Sequence, residues 1–521
     1  MTQPFEIGLT LAGAVSAGAY SAGVMDFLIE ALDVWHAQKE EAATQVPRHE
    51  VRIKVMSGAS AGSITAGVAT AAMLHEHHPV HDPAHVGANR LYNTWVTGID
   101  ISKLLTLRDL QDEKEPVRSL LDSSELDHLA ELALAQAGPV RRSYLADRLH
   151  LLFTVTNLRG VPYNLGFRGN YAAGHDFRMH GDHVHLVLGD TPQPTPGAIA
   201  MPWDKRQPGG KEGWHLLGQA ALASSAFPIG LKPRTLEYDF GNLAEDLYWQ
   251  RKWTTLDTQD EQEPCRYQQA EIAKAPQWVD PNGSEQAYPR KYDFVCVDGG
   301  SMNNEPLELA RRILAAGDCR NPREGDKACR GLIMIDPFPD RIDDDIAHDH
   351  LIGAAVGLIG AWKAQSRFSA MDIELAQRPN VYSRYLIAPV RYQANGTMAT
   401  WPIAGATAGA FGGFLSEDFR RHDFLLGRKN ARAFLEKHFT LPETNLLFKN
   451  ALGQWHNGWN EALAEKFGRD EDGRPYAGIG SRHLPIIPVM DSIGPDAPLP
   501  AWDTLYSHDR LDALNKPMRR R

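Results

Sequence analysis

The sequence predicts an α/β protein in which a mostly parallel sheet is flanked by helices. Two observations lead to this prediction. Apolar strand patterns alternate with helical patterns over residues 1–90, and this alternation is typical of parallel sheets covered by helices. Later short apolar runs are bounded by turn residues, as buried strands are. A chain of 521 residues is long enough for one large domain with extensions or for two domains.

The individual elements follow from the spacing of apolar residues. A strand is predicted over residues 6–11, and the helix after it presents Val24, Leu28, Leu32 and Trp35 on one side. The next strand and helix are predicted over residues 51–56 and 61–74, and further strands over residues 150–155, 294–297, 331–335 and 385–390.

The domain organisation is predicted from changes in composition. Residues 166–213 and 236–291 are polar and rich in turn residues, and we interpret them as insertions that decorate the core, because structureless loops of that length are unusual in compact folds. The main domain is therefore expected over residues 1–345. Residues 346–521 are expected to form a mainly helical C-terminal extension, with helices over 416–438 and 443–467.

Composition excludes several classes of protein. The net charge of −11 argues against a nucleic-acid-binding protein, because phosphate contacts need clustered Lys and Arg. Four cysteines in a chain of this length do not make a disulfide framework. We predict no signal peptide and no transmembrane segment, since the apolar run 351–362 is too short to span a bilayer. A cytoplasmic protein that associates with membranes only peripherally is expected.

Residues 58–62 fit the G-x-S-x-G nucleophile elbow, in which a serine occupies a strained strand-to-helix turn. Ser60 is the candidate nucleophile. Gly58 and Gly62 flank it because the crowded turn needs small residues. The N-terminus of the following helix favours a developing oxyanion. A tight turn at a helix start, without any chemistry, is the alternative interpretation.

An aspartate follows the strand predicted over residues 294–297. Asp298 precedes Gly299 and Gly300, which allow the backbone to turn sharply and to approach other groups closely. The carboxyl ends of strands are where open α/β sheets place their sites, so Asp298 is a candidate site residue. A simple turn is again the alternative interpretation.

A loop of small residues, from Gly13 to Gly18, follows the first predicted strand. Such a loop can present backbone N–H groups to an anion. A dinucleotide-binding loop or mere close packing is the alternative. Against the nucleotide alternative, the sequence has neither G-x-G-x-x-G nor the G-x-x-x-x-G-K-[ST] pattern here.

These three segments, in this order, resemble the patatin-like phospholipase family. That family has a glycine-rich oxyanion loop after the first strand, then the serine elbow, then Asp-Gly-Gly. The resemblance covers residues 5 to about 340, interrupted by the two insertions. Residues 13–24, 156–160, 223–228 and 298–306 are similar to the family's G-G-G-x-R-G-A-Y-x-x-G-V, T-D-L-x-x-G, A-S-x-A-x-P and D-G-G-x-x-x-N-x-P.

The resemblance implies a three-layer fold and a lipid acyl hydrolase, a phospholipase or esterase that acts on fatty-acyl esters. It implies that Ser60 and Asp298 form a catalytic dyad and that Ser60 becomes acylated. It places the oxyanion hole at Gly13, Ala14 and Val15. It implies a lipid or membrane-surface substrate, and it requires no metal and no organic cofactor.

The oxyanion loop departs from the family pattern. Ala14 and Val15 stand where glycines are usual, and Ala17 stands where arginine is usual. Backbone N–H groups survive these changes, so an oxyanion hole is still expected, with its geometry set without the arginine.

Two further hypotheses for the function remain open. An α/β-hydrolase would use a Ser-His-Asp triad with a histidine after Asp298 as base, and four candidates follow it: His422, His438, His456 and His483. The second is a catalytically silent family member that acts as a binding protein. The presence of both Ser60 and Asp298 speaks against that hypothesis.

Two histidine-rich tracts, residues 75–85 and 180–185, are candidate metal sites. Neither has the fixed ligand spacing of known zinc motifs, and in the first tract Pro79 stands where H-E-x-x-H needs its second histidine. We therefore predict no metal site.

Overall fold

A computed structural model describes the chain in the following residue ranges: 3–41, 45–81, 86–111, 116–135, 139–165, 174–190, 198–239, 251–253, 272–274, 291–316, 321–338, 381–393, 395–406 and 411–500. The apolar run 351–362 lies outside the described residues.

The strands, in chain order, are β1 Phe5–Leu11, β2 Val51–Gly58, β3 Leu145–Leu165, β4 His175–Gly189, β5 Ile199–Pro202, β6 Arg234–Asp239, β7 Arg251–Trp253, β8 Ile272–Lys274, β9 Lys291–Asp298, β10 Arg330–Ile335, β11 Arg384–Ile387, β12 Thr440–Pro442 and β13 His483–Pro485. The central sheet has nine strands in the order β11-β10-β1-β2-β3-β4-β5, and β9 joins it by pairing with β3 and β6. β11, β10, β1, β2 and β3 are parallel, whereas β4 and β9 both run antiparallel to β3. The mostly parallel sheet predicted from the sequence is confirmed.

The helices are α1 Gly18–Glu40, α2 Ala61–Met73, α3 Arg90–Tyr92, α4 Ile101–Leu104, α5 Ser124–Ala133, α6 Gly210–Ser224, α7 Leu307–Ala315, α8 Gly412–Leu415, α9 Glu417–Lys437 and α10 Glu461–Phe467. Short 3-10 turns lie at Val15–Ala17, Arg108–Leu110, Gly299–Ser301 and Ala404–Ala406, and a π-helical turn at Asn93–Gly98.

The alternation of side chains along β10 produces the three layers. Leu332 and Met334 pack in a cluster with Leu307 and Leu314 of α7, whereas Ile333 and Ile335 belong to the larger core that includes α1 and α2. Successive side chains of a strand point to opposite faces, so the sheet carries helices on both sides.

α1 is the central helix of the larger core. The stretch Val15–Glu40 is long and apolar enough to cross a membrane, and 94% of its most apolar window is buried inside the protein. Glycines allow α9, from the C-terminal third, to lie directly against it: a Cβ at Gly23 would stand 1.9 Å from the Phe424 carbonyl oxygen, and one at Gly427 would stand 2.1 Å from that of Tyr20. The C-terminal extension is thus packed onto the first helix of the fold.

Two regions differ from the sequence predictions. Within residues 166–213, interpreted as an insertion, β4 and β5 complete one edge of the central sheet, and the polar residues of β4 lie on its more exposed part. Within the helix predicted over 443–467, only Glu461–Phe467 is helical. Asn457, at φ 51°, and Gly458, at φ 76°, place the backbone in a left-handed turn just before Asn460, whose side chain caps α10.

Candidate active site

The candidate nucleophile lies on a strained turn between β2 and α2. Ser60 has φ 52° and ψ −126°, which non-glycine residues rarely adopt. Its backbone N–H donates to Ser224 Oγ at 2.9 Å. A Cβ at Gly62 would stand 2.1 Å from the Leu11 carbonyl oxygen, so the turn needs a glycine there. This is the geometry of a nucleophile elbow, with Gly58 as the last residue of β2.

Asp298, the last residue of β9, meets this serine. Ser60 Oγ donates to Asp298 Oδ2 at 2.8 Å, and each residue is 6% exposed. The N–H of Gly300 donates to the other carboxylate oxygen, Oδ1, at 2.7 Å, and Thr156 Oγ1 donates to the Asp298 carbonyl at 2.8 Å. The short turn Gly299–Ser301 therefore holds the carboxylate by its backbone.

The strand pairing explains why residues so distant in sequence come together. Gly58, at the end of β2, lies opposite Phe153 of the longer strand β3, which continues beyond the elbow. β9 runs antiparallel along that continuation and brings Asp298 opposite Val155. The serine and the aspartate therefore approach the same point of the sheet from opposite directions.

The loop after β1 is fixed by Asn304. The N–H of Gly13 donates to the Asn304 carbonyl at 3.2 Å, and Asn304 Nδ2 donates to the Gly13 carbonyl at 3.3 Å. A Cβ at Gly13 would stand 2.3 Å from Asn304 Oδ1 and 3.2 Å from Ser60 Cβ. Gly13 is therefore the anchor of the loop, and its N–H already has an acceptor.

The backbone changes conformation sharply between the next two residues, Ala14 and Val15. Val15 lines the cavity that contains Ser60 and Asp298, and it has φ 48°, following Ala14 at φ −142°. A β-branched residue in the left-handed region is a strained outlier of the kind that clusters at functional sites. The φ angle changes from negative at Ala14 to positive at Val15. Such a change of sign is also the pattern that turns successive N–H groups toward one anion.

The cavity at Ser60 has mostly apolar walls. Behind it lies a second apolar cavity, and the two share Ile64, Ile99 and Leu126 as a common wall. Besides Val15, Ser60 and Asp298, the first cavity is lined by Ala61, Ile64, Trp95, Ile99, Leu104, Leu121, Leu126, Ser225, Phe227, Gly230, Leu231, Phe411 and Phe414. A larger cavity, of about 340 Å³, lies between Phe5, Asp326 and His456 and contains none of the motif residues.

Comparison with known proteins identifies the family. The model of the patatin-like phospholipase family matches residues 9–311, which is more than half of the chain. The chain belongs to the patatin-like phospholipase family. It is 34% identical over 544 residues to the uncharacterized protein y4iI of Sinorhizobium fredii, covering 96% of this chain and 72% of that protein. Among solved structures it resembles VipD of Legionella pneumophila at 13% identity and a TM-score of 0.24, over 82% of this chain and 66% of that one. The family is one of lipid hydrolases.

The region beyond the family match also contributes to the site. Phe411 and Phe414 line the cavity, and Phe411 packs edge-to-face against Phe227 with ring centroids 5.8 Å apart. Between them, the N–H of Gly413 donates to Ser16 Oγ, in the loop after β1, at 3.1 Å. Buried Arg420 donates to the Gly413 carbonyl at 2.7 Å. The C-terminal extension therefore supports the loop in which the family arginine is replaced by Ala17.

The four histidines proposed as alternative bases lie elsewhere, and none lines the cavity at Ser60. His422 Nδ1 stands 2.9 Å from Asp423 Oδ1, and burial raises the pKa of that carboxyl. His456 Nε2 stands 2.7 Å from the Leu446 carbonyl oxygen. His483 packs edge-to-face against Tyr382, and His438 follows the last turn of α9 on the surface.

The two histidine tracts supply partners for other groups. His77 and His81 stand 2.9 Å and 2.8 Å from the carboxylates of Asp26 and Glu30 on α1. His185, on β4, stands 2.9 Å from His150, and burial lowers the pKa of His150 to about 4.

Three residues that position the site were not singled out from the sequence. Ser224, Thr156 and Asn304 bind the backbone of Ser60, Asp298 and Gly13, respectively. Each of the three lies within a segment that resembles a family motif, which is the signal that could have identified them. Their roles could not be read from it, because each acts on a residue far away in the chain.

Proposed function

We propose that this protein hydrolyses fatty-acyl esters of lipids through a Ser60–Asp298 dyad and a covalent acyl-Ser60 intermediate. The observation that carries the proposal is the 2.8 Å hydrogen bond from Ser60 Oγ to Asp298 Oδ2, at the wall of an apolar cavity. A nucleophile within hydrogen-bond reach of a base that is itself oriented by a third group is the usual signature of covalent catalysis, and the Gly300 N–H supplies that orientation.

In the first half of the reaction, Ser60 Oγ attacks the ester carbonyl while its proton passes to Asp298 Oδ2. An aspartate is a weak base, with an ordinary pKa of about 3.9, so proton transfer must accompany the attack rather than precede it. Collapse of the tetrahedral intermediate breaks the bond to the alcohol, which leaves with the proton held by Asp298.

In the second half, a water molecule attacks the acyl-serine and gives its proton to Asp298. The ester bond to Ser60 then breaks, the proton returns to Oγ, and the fatty acid leaves. Both halves pass through an oxyanion. We assign its donors to the N–H groups of Ala14 and Val15, and we assign Gly13 to anchoring, because the N–H of Gly13 donates to Asn304. Donors that are fixed before the reaction stabilise such charge most effectively.

The walls of the cavity favour an acyl chain as the group bound beside the serine. Ile64, Ile99 and Leu126 present hydrocarbon to the cavity and gain free energy when they exclude water from a methylene chain.

The proposal is tested with the Ser60→Ala variant and a short-chain p-nitrophenyl ester. We expect turnover to fall below a tenth of wild type with the fold unchanged by circular dichroism, and we expect a fluorophosphonate to label the wild-type protein on Ser60. Ser21→Ala is the matched control, because Ser21 is also buried, does not line the cavity, and has a hydroxyl without a hydrogen-bond partner in the described part of the chain. Activity retained by Ser60→Ala would refute the assignment of the nucleophile.

The dyad is distinguished from a triad by replacing His422, His438, His456 and His483 singly. Loss of a general base costs at least about 100-fold, so a dyad requires each variant to remain within about tenfold of wild type. One folded histidine variant as inactive as Ser60→Ala would establish the triad instead.

A further inference from the structure

Two exposed apolar side chains are held side by side next to the candidate active site. Leu120 is 64% exposed and Ile229 is 68% exposed. The N–H of Leu120 donates to the Ile229 carbonyl at 2.8 Å, and that of Leu121 donates to the Gly230 carbonyl at 3.0 Å. These two hydrogen bonds join the segments, so the two side chains form one fixed surface.

This surface borders the cavity that contains Ser60. Leu121 and Gly230, the immediate neighbours of Leu120 and Ile229 in the chain, line that cavity. Phe411 also lines it and is 36% exposed. The apolar lining is therefore continuous with apolar residues on the outside of the protein. We name Leu120, Ile229 and Phe411 the rim patch.

The backbone of Ile229 is strained although its side chain is exposed. It has φ 71°, in the left-handed region where a β-branched residue is strained and where glycine is the ordinary choice. A side chain that remains in water returns little free energy to folding. Strain without burial indicates that the side chain is used in contact with something outside the molecule.

The carboxylates near the rim patch are each paired with two cations. Lys103 and Arg108 both lie against Glu125, at 3.8 Å and 3.5 Å. Lys232 lies 3.5 Å from Asp127, which also pairs with Arg234. The chain as a whole carries a net charge of −11. Near the rim patch, however, these four cations outnumber the two carboxylates, so this part of the surface does not repel the phosphate groups of lipids. A polar surface over hydrocarbon also suits exposed leucine, isoleucine and phenylalanine.

We propose that the rim patch docks on the surface of a phospholipid bilayer, so that the cavity at Ser60 opens toward lipid. This inference rests on the proposed function, since an ester chain then passes from bilayer to cavity along apolar surface. A partner protein or a second copy of this chain would bury the same residues, and the experiment separates these occupants from lipid.

The test measures binding to vesicles of phosphatidylcholine and phosphatidylglycerol by flotation. The Ser60→Ala protein is the parent, so the result does not depend on hydrolysis. Adding Leu120→Asp and Ile229→Asp should weaken binding at least about tenfold, because the contact with lipid no longer buries these two aliphatic side chains. The matched control adds Leu452→Asp and Ile479→Asp, which replace side chains that are 82% and 83% exposed and do not border the cavity, and it should bind like the parent.

A second variant keeps the inference testable if the double substitution disturbs folding. Ile229→Gly relieves the strained backbone, so its thermal unfolding midpoint should be equal to or above that of the parent while vesicle binding falls. If Ile229 had only a structural role, the thermal unfolding midpoint and vesicle binding would decrease together.

Two results would overturn the inference: equal vesicle binding by parent and double variant, or a dimeric parent that the double variant makes monomeric. Turnover of a short-chain ester by the wild-type protein tests the proposed function separately. If the wild-type protein were inactive while the Ser60→Ala parent still bound vesicles through the rim patch, hydrolysis would be refuted. The inferred docking surface would then be unaffected.

Discussion

Two buried carboxylates, Asp298 and Asp26, each join distant parts of this chain, and they differ in the groups that contact them. Asp298 accepts hydrogen bonds from the Ser60 hydroxyl and the Gly300 N–H, both neutral donors, and it faces a cavity. Asp26 contacts the guanidinium of Arg428, and it is completely buried between α1 and α9. Arg428 also binds Glu30 at 2.6 Å.

The difference separates a carboxylate beside a cation from one that accepts a hydrogen bond from a hydroxyl at the wall of a cavity. Burial alone would raise the pKa of Asp26, but the charge of Arg428 and the neighbouring His77 outweigh burial and lower the pKa to about 2. Such a carboxylate remains ionised and holds the C-terminal extension to the first helix. A carboxylate bonded by a hydroxyl and set beside an opening is instead placed to take that proton.

The largest effect on stability is expected from Arg428→Met. The substitution leaves Asp26 and Glu30 buried without their cation, and breaking a buried ion pair in this way costs about 3–5 kcal/mol. Urea unfolding should show this loss. Arg421→Met is the matched control on the same helix, since Arg421 pairs with Glu417 nearer the surface and should cost less than about 1 kcal/mol. Equal losses for the two variants would contradict a special role for the buried cluster.

Asp298→Asn should reduce turnover strongly and stability little, the reverse of what is expected for Arg428→Met. The amide keeps the shape of the side chain but cannot take the serine proton, so turnover should fall at least about 100-fold. The urea midpoint should change far less than in Arg428→Met, because the Ser60 hydroxyl and the Gly300 N–H that bond to Asp298 are neutral. Stopped-time assays of ester hydrolysis and unfolding curves on the same preparations compare the two sites. A variant that unfolds as readily as Arg428→Met would place Asp298 among the structural carboxylates.

Asn304→Ala is expected to have an intermediate effect on catalysis. It removes the Nδ2 hydrogen bond to the Gly13 carbonyl, and a buried group left unsatisfied costs about 1–3 kcal/mol. We expect kcat to fall by about tenfold, with KM for a short-chain ester little changed, because the oxyanion loop loses its fixed position. The adjacent Asn303→Ala is the control, since the Asn303 carbonyl, which the substitution keeps, accepts from Thr154. A change in KM alone would contradict the positioning role.

A dependence of stability on pH is expected where the C-terminal extension contacts His49. His49 accepts from Trp459 Nε1 at Nδ1 and donates from Nε2 to the Ile486 carbonyl, and burial lowers its pKa to about 3. Below about pH 6.5 the unfolded chain binds a proton that the folded chain does not. Stability should therefore be fully present above that pH and fall as the pH decreases, by at most about 1.4 kcal/mol per pH unit for this histidine.

The measurement is the free energy of unfolding from pH 7 to pH 4.5 for wild type and His49→Asn. The variant should show a shallower decline with falling pH, whatever its absolute stability. His36 and His150, whose pKa values burial lowers to about 4, contribute to the decline in both proteins. Identical slopes would show that His49 is not held neutral by the folded structure.

The sequence by itself determined the local features of the site. Small residues around Ser60 and after Asp298 mark backbone turns that only such residues can make, and apolar periodicity marks the strands that precede them. The family motifs connected these features to one reaction class, and the family is confirmed by the match over residues 9–311.

Only the tertiary structure decided how these features meet. Periodicity reports that a strand is buried but not which strand pairs with it, so the antiparallel course of β9, which brings Asp298 to Ser60, is absent from the pattern. The same limit explains why β4 was interpreted as part of an insertion and why Phe411 was not expected at the cavity. The chemistry of a residue depends on its own side chain, whereas its contacts depend on how the whole chain packs.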